Sequence, residues 1–169
     1  TTQKHSSAAS DVYKRQIFSA IKKHRDLEEI NFPDRSQITM TVPFMKAYTE
    51  LLVQSCHKRG AHAIGGMSAF IPNRSDTEVT EKALENVKKD KEREVSMGFD
   101  GSWVAHPDLV KVCKDVFQNS LGTKENQIDY VPNQPIISEE MLQDFNIPNS
   151  TITEEGIRTN IRVGILYIP

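Results

Sequence analysis

The spacing of hydrophobic positions changes several times along the chain and predicts alternating helices and strands. A helical pattern starts near Ile17. A better marked helix follows, with Thr41 as its N-cap, Pro43 in its first turn and Gly60 at its end. Its apolar residues recur at helical spacing. They are Met45, Tyr48, Leu52 and Cys56.

Two short apolar segments then predict strands. Residues 61–72, AHAIGGMSAFIP, are mostly small and apolar, which favours a strand buried on both faces, as in a parallel sheet. Residues 101–106, GSWVAH, form the second segment and run into Pro107. Between them a charged helix is predicted over about 76–96, ending at Gly98. Its run Lys88–Glu94 alternates in sign, which is typical of an exposed helix face.

Three more helices are predicted around a turn-rich segment. One starts at Pro107, stops at Gly122 and carries an apolar face made of Leu109, Val110, Cys113, Val116 and Phe117. Residues 123–152 are rich in turns, with one short helix near 138–145 capped by Ser138. The last helix is capped by Thr153. Its apolar stripe consists of Ile157, Ile161, Ile165 and Ile168.

The alternation of helices and strands predicts an α/β protein with parallel strands and helical crossovers. Two strands alone would leave both edges of a parallel sheet unprotected. A complete (β/α)8 TIM barrel needs about 250 residues, whereas this chain has 169. We therefore expect an incomplete (β/α)8 TIM barrel.

The charge, hydropathy and cysteine spacing argue against several kinds of partner and metal site. The net charge is −2, so neither sign dominates, and this argues against nucleic acid or a membrane surface as partner. No apolar run approaches the roughly 20 residues that span a bilayer. Cys56 and Cys113 lack a metal-binding spacing and are interpreted as small buried hydrophobic residues in a reducing compartment.

Residues at the carboxyl ends of the predicted strands are candidate site residues, because these ends form the active-site face of a barrel. Trp103 lies there, or else is a core aromatic residue. His106 is expected to be satisfied by the backbone, since no Ser, Cys or carboxylate is placed to act with it. The pair Gly65–Gly66 indicates either close packing or approach of a ligand to the backbone. His57 is interpreted as part of a solvated helix end.

Three long segments resemble malate synthase of the shorter A type. They are residues 33–72, 89–112 and 152–168, and they include the specific strings CHKRGAHAIGGM and GFDGSWVAHPDL. The resemblance extends over about 17–168. Residues 17–169 are accordingly interpreted as a partial barrel domain, and residues 1–16 as a non-homologous tail or foreign sequence.

The resemblance implies an enzyme that condenses glyoxylate with acetyl-CoA and water, giving malate and CoA in the glyoxylate cycle. It also implies a Mg²⁺ ion that holds glyoxylate, an aspartate base and an arginine that stabilises the enolate. The family motifs that carry these groups are not matched in this chain. We therefore expect it to supply no catalytic and no metal-binding residue, and to be inactive alone.

By resemblance, the chain contributes the sixth and seventh barrel strands with their flanking helices. Trp103, Ala105 and Pro107 are expected to line the acetyl-CoA side of the pocket, and Gly66 and Met67 its floor. Two alternative hypotheses are a non-catalytic interaction fragment derived from the barrel and a related barrel lyase that acts on acyl-CoA. A cytoplasmic and a peroxisomal or glyoxysomal location both fit.

Overall fold

A computed structural model describes residues 33–68, 77–130 and 136–166. The predicted tail, the helical pattern from Ile17 and the predicted strand residues 69–72 lie outside these ranges. The chain divides into two compact units. Within the described residues, one unit consists of residues 50–68 and 77–130, and the other of residues 33–49 and 136–166.

The first unit has the predicted order of helices and strands. It begins with the second half of helix α1 (Pro43–His57). Then follow β1 (Ile64–Ser68), α2 (Thr77–Ser96), β2 (Gly101–Val104), a 3₁₀ helix (Pro107–Leu109) and α3 (Val110–Leu121). Strands β1 and β2 pair in parallel, with α2 between them in the sequence. Helix α2 packs against α3 and both strands. The predicted parallel pairing with a helical crossover is therefore confirmed.

The two strands do not pair in even register. Gly65 pairs with Ser102, and the next pair joins Ser68 to Val104. Strand β1 therefore advances three residues where β2 advances two, which is a β-bulge with one extra residue in β1. Bulges change which side chains share a face of the sheet, because side chains alternate between faces along a strand.

The core of the first unit lies between the helices and one face of this sheet. It consists of Val53, Ala63, Val95, Phe99, Cys113, Val116 and Phe117. The prediction that β1 is buried on both faces is wrong for the described residues, since Gly66 and Met67 are exposed. Helices cover one face of the strand within the described part of the unit, and the other face stays open.

Helix α2 confirms the predicted span but not the predicted exposure of Lys88–Glu94. Ala83, Val87, Lys91 and Val95 are all buried. They recur every four residues, so Lys91 occupies an inward position of the helix. Glu94 is buried as well. The alternation of sign was therefore a poor guide, because two of these charges face inward.

The boundaries of α2 and α3 agree with the sequence. Gly98 follows α2 with a φ of 93°, a conformation that glycine adopts without strain. Gly122 follows α3 as its C-cap. Leu109, Cys113, Val116 and Phe117 are buried as predicted, whereas Val110 is exposed.

The second unit joins the segment before α1 to the C-terminal part of the chain. Its elements are a 3₁₀ helix (Arg35–Gln37), the first half of α1, α4 (Glu139–Leu142) and α5 (Glu154–Leu166). The rings of Phe44 and Phe145 meet edge to face, with centroids 5.5 Å apart. Asp34 accepts hydrogen bonds from the backbone N–H and the hydroxyl of Thr153.

The predicted caps of α4 and α5 are confirmed. Ser138 Oγ accepts from the N–H of Met141 at 3.4 Å, and Thr153 Oγ1 accepts from the N–H of Gly156 at 3.0 Å. The apolar stripe of α5 is exposed within its unit, with Ile161 57 % accessible. None of the described helices is both long enough and apolar enough to cross a membrane.

Candidate functional site

The five predicted site residues lie close to one edge of the β1–β2 sheet. Gly66 and Met67 belong to the end of β1, and Trp103 belongs to the end of β2. Ala105 and Pro107 follow β2 directly. Since the strands are parallel, their carboxyl ends meet at the same edge. We call these five residues the carboxyl-edge surface.

The carboxyl-edge surface is open and largely apolar. All five residues are exposed, with Met67 62 % and Trp103 48 % accessible. An exposed indole and an exposed thioether at the strand ends are unusual in a packed domain, where such side chains are mostly covered. The surface can therefore cover the apolar part of a ligand or pack against further protein.

The bulge places Met67 on the same face as Trp103. In the register Ser68 is the Cα partner of Val104, so the residues that precede these two, Met67 and Trp103, lie on one face of the sheet. Val104 packs against the core under the helices. Met67 and Trp103 therefore lie on the face that points away from the helices. In an even register Met67 would pair with Val104 and would turn towards the helices.

A buried polar cluster lies against the helix side of the glycine pair. Lys91 Nζ donates to the carbonyl of Gly66 at 2.9 Å and to the carboxylate of Glu94 at 3.0 and 3.1 Å. Asp90 Oδ2 lies 3.2 Å from the same ammonium. Ser102 Oγ donates to the Gly66 carbonyl at 3.1 Å. We call these four side chains the Lys91 cluster.

Burial dominates the electrostatics of this cluster. The pKa of Glu94 is raised, because loss of solvent around its carboxylate outweighs the neighbouring Lys91 charge and the hydrogen bonds from Ser102 and Lys91. The Ser102 hydroxyl has one proton, so it serves one acceptor at a time. Gly65 makes the arrangement possible, since a Cβ there would overlap the Glu94 carboxylate.

His106 anchors the loop that carries Ala105 and Pro107. Its Nδ1 accepts from the backbone N–H of Asp108 at 3.2 Å and lies 3.6 Å from the Asp108 carboxylate. The predicted backbone contact of His106 is therefore confirmed. Its role in this structure is to cap the 3₁₀ helix that begins at Pro107.

A second polar network lies at the opposite, amino-terminal edge of the sheet. Asp100 Oδ2 accepts from the N–H of Ala63 at 2.7 Å and lies 3.0 Å from His57 Nε2. Asp100 Oδ1 accepts from the N–H of Gln127 at 2.6 Å. His57 Nδ1 lies 3.3 Å from the carbonyl of Tyr130. The network thus joins the end of α1, the start of both strands and the loop after α3.

The prediction of a solvated His57 is wrong, because Asp100 and Tyr130 surround the ring and bury it. The two partners are 43 and 73 positions away along the chain, so no local spacing could reveal them. A buried His–Asp pair resembles part of a catalytic triad. At the amino end of barrel strands, however, polar groups serve stability and the chemistry occurs at the other edge.

The other described side chains that could bind a metal ion or act as nucleophiles show no reactive arrangement. No group of three His, Cys, Asp or Glu side chains within residues 33–68, 77–130 and 136–166 could hold a metal ion. Cys56 and Cys113 are free thiols, Cys113 buried and Cys56 partly buried, which agrees with their interpretation as small hydrophobic residues. Burial raises the pKa of both thiols, so both stay protonated and poorly nucleophilic near neutral pH.

Parallel strands joined by a helix, with an open surface at their carboxyl ends, are typical of the repeats of an α/β barrel enzyme. The family model described as the TIM barrel domain of malate synthase matches residues 4–144. The chain therefore belongs to the malate synthase family.

Individual relatives agree with this assignment. The chain is 50 % identical over 153 residues to the malate synthase of Streptomyces clavuligerus. It is 49 % identical over 155 residues to the glyoxysomal malate synthase of Candida tropicalis, and 46 % identical over 157 residues to that of Gossypium hirsutum. Each match covers 90 % of this chain but only 27–28 % of the relative. The chain thus spans just over a quarter of these relatives.

Proposed function

We propose that this chain is part of an enzyme that condenses glyoxylate with acetyl-CoA and water to give malate and CoA in the glyoxylate cycle. Membership of the malate synthase family supports the reaction. The observation that carries the chain's own part in it is the exposure of Met67 and Trp103 on one face at the carboxyl edge. We further propose that β1 and β2 are the sixth and seventh strands of the complete barrel.

In this proposal the carboxyl-edge surface shapes the acetyl-CoA side of the pocket. Trp103, Ala105 and Pro107 line that side, and Gly66 and Met67 form the floor. An apolar surface of this kind excludes water from the acetyl group, which strengthens every electrostatic interaction at the reacting carbon. The chain therefore contributes shape and dryness, and the proton transfers are carried out by groups in other parts of the complete enzyme.

The proposed enzyme uses Mg²⁺, which would polarise the aldehyde of glyoxylate as a Lewis acid. The residues described here do not form a site for this ion. We propose that its ligands belong to other segments of the complete enzyme and that the 169-residue chain alone does not release CoA.

The location of the complete enzyme is proposed to be the cytoplasm or a peroxisome-like organelle. Two of the relatives described above carry the word glyoxysomal in their names. Tagging the complete protein with a fluorescent protein at its N-terminus and imaging it beside a peroxisomal marker distinguishes the two compartments.

The substitution Trp103→Ala in a full-length malate synthase that carries this segment tests the proposal. Removing a large apolar contact is worth about 1.5–3 kcal/mol, so the KM for acetyl-CoA should rise about 10- to 100-fold. The KM for glyoxylate should change much less. Ile136→Ala removes an apolar side chain elsewhere in the chain that is more exposed than Trp103, 80 % against 48 %, and serves as the control.

Two results would contradict the proposal. An unchanged KM for acetyl-CoA in the Trp103 variant would remove this surface from the pocket. Cleavage of malyl-CoA or citramalyl-CoA without malate synthesis from glyoxylate would instead favour the related lyase. Circular dichroism of the variant confirms that its fold is intact before the kinetics are compared.

A further inference from the structure

The bulge in β1 contains Gly66, and side chains of two other elements contact the carbonyl oxygen of this residue. That oxygen accepts from Lys91 Nζ at 2.9 Å and lies 3.1 Å from Ser102 Oγ, whose single proton it shares with the Glu94 carboxylate. A carbonyl oxygen has two lone pairs, and the two side chains can occupy both. They come from different elements, α2 and β2, so the carbonyl is fixed relative to the helix and the neighbouring strand together.

The donor on α2 is a fully buried ammonium group. Lys91 is 0 % exposed and is paired with Glu94 and Asp90. Burying a charged lysine is unfavourable unless it is paired and hydrogen-bonded, and an aliphatic residue would fill the same space more easily. What an aliphatic residue cannot do is hold a backbone carbonyl. The only group outside α2 to which Lys91 donates among the described contacts is the Gly66 carbonyl.

Gly65 and Gly66 have different roles next to this cluster. A Cβ at Gly65 would overlap the Glu94 carboxylate, so glycine there lets the ion pair reach the strand. A Cβ at Gly66 would meet nothing within 4 Å. Gly66 is therefore held through its carbonyl oxygen and not by packing around its α-carbon.

We propose that Lys91 and Ser102 hold the Gly66 carbonyl, with Glu94 holding the Lys91 ammonium in place, and that these positioning residues maintain the bulge in β1 and thereby keep Met67 on the face of Trp103. Without these contacts β1 returns to even register. Gly66 then lies opposite Trp103, and Met67 turns towards the helices. The effect on the acetyl-CoA pocket rests on the proposed function, whereas the effect on strand register does not.

Paired cysteines report the register directly. Neighbouring strands lie about 4.8 Å apart, which is within the Cα separation of about 4.4–6.8 Å that a disulfide spans. In the bulged register M67C and W103C face each other across the strands. In the even register G66C and W103C do so. The two pairs are made in a full-length malate synthase carrying this segment, mildly oxidised, and the linked peptides are quantified by mass spectrometry.

With the native cluster, the 67–103 link should form, and position 66 also lies opposite Trp103 in the bulge, so the 67–103 link is the one that distinguishes the two registers. The double substitution K91M/E94Q removes the buried charges together, which avoids leaving a carboxylate without its cation. It should abolish the 67–103 link and leave the 66–103 link. S102A removes one of the two donors and should shift the links in the same direction to a smaller extent. The control K88M replaces an exposed lysine on the same helix and should change neither disulfide link.

The proposal is overturned if the 67–103 link forms equally well in the parent, K91M/E94Q and S102A enzymes. If K91M/E94Q does not fold, S102A alone decides. Kinetics on the same cluster variants without added cysteines separates this proposal from the proposed function. A shift of the links with a raised KM for acetyl-CoA and little change in kcat supports both. A shift of the links with unchanged kinetics supports the register and contradicts the placement of the pocket.

Discussion

Replacing Lys91 alone by methionine is the sharpest test of how this sheet is held. Methionine nearly matches the lysine side chain in length but carries no charge and donates no hydrogen bond. The change therefore removes the bonds to Gly66 and Glu94 without opening a large cavity. It leaves the buried Glu94 carboxylate without the cation that lies 3.0 Å away.

The cost can be derived from burial. Lys91 is 0 % and Glu94 7 % exposed, so water cannot replace the lost partner. Breaking a buried pair from one side costs about 3–5 kcal/mol, which is a large share of the roughly 5–15 kcal/mol that stabilises a domain. Glu94→Gln should cost less, about 1–3 kcal/mol, because Lys91 keeps the Asp90 carboxylate 3.2 Å away and the amide oxygen can still accept from it. The double variant should cost less than the sum of the two, with a coupling of about 1–3 kcal/mol.

The free energies are measured by urea unfolding of the 169-residue chain in dilute solution. Trp103 is the chain's single tryptophan, so its fluorescence reports on this sheet, and circular dichroism reports on the helices. Lys88→Met is the matched control: Lys88 is exposed and 3.9 Å from Glu92, and its loss should cost less than about 0.5 kcal/mol. Equal losses for the two lysine variants, or additive losses in the cycle, would refute the reasoning.

Four further outcomes are expected. Gly65→Ala should destabilise the chain by about 1–3 kcal/mol through overlap with Glu94, whereas Gly66→Ala should change its stability by less than about 0.5 kcal/mol. Because the pKa of Glu94 is raised in the native state, the folded chain keeps a proton that the unfolded chain has already lost. The free energy of unfolding should therefore fall as pH rises from about 4.5 through the folded pKa, and Glu94→Gln should remove this slope. Asp100→Asn should cost about 2–4 kcal/mol by weakening charge-assisted bonds yet leave the KM for acetyl-CoA of the full-length enzyme unchanged. Ile161→Lys should reduce self-association of the 169-residue chain in sedimentation velocity, because it interrupts an exposed apolar stripe.

Each of these four predictions would be contradicted by a different result. Equal effects of the two glycine substitutions would contradict the close approach of Glu94 to the strand. An unchanged pH slope in the glutamine variant would assign the slope to other groups. A raised KM in the Asp100 variant would connect the amino edge to the pocket, and unaltered association of the Ile161 variant would exclude α5 as the contact surface.

The elements of the fold were predictable because their signals are local. Glycine and capping residues fixed the ends of the helices, as at Gly98, Gly122 and Thr153. The small apolar run around Gly65–Gly66 indicated a strand, and the alternation of elements indicated parallel pairing. These signals depend on residues that lie within one or two turns of each other, so a single sequence contains them.

The polar networks were not predictable, because their partners are far apart in the sequence. Lys91 and Gly66 are 25 positions apart, and His57 and Asp100 are 43 apart. A charged run looks like a solvated face until the position of each charge on the helix is known. The spacing of Lys91 from Ala83, Val87 and Val95 was the available signal, since it places the lysine in the buried stripe.

The two edges of the sheet illustrate what an ion pair can do at a position where an aliphatic side chain would be more stable. At the amino edge, Asp100 ties the strand starts together with short hydrogen bonds. At the carboxyl edge the proposed function requires the strand ends to stay open for a ligand, so in that proposal packing from above cannot hold them. A lysine reaching from the covered side can fix the Gly66 carbonyl while leaving the opposite face free. Apolar packing is non-directional, and only a directed donor can set the position of one carbonyl and, through it, the face on which Met67 lies.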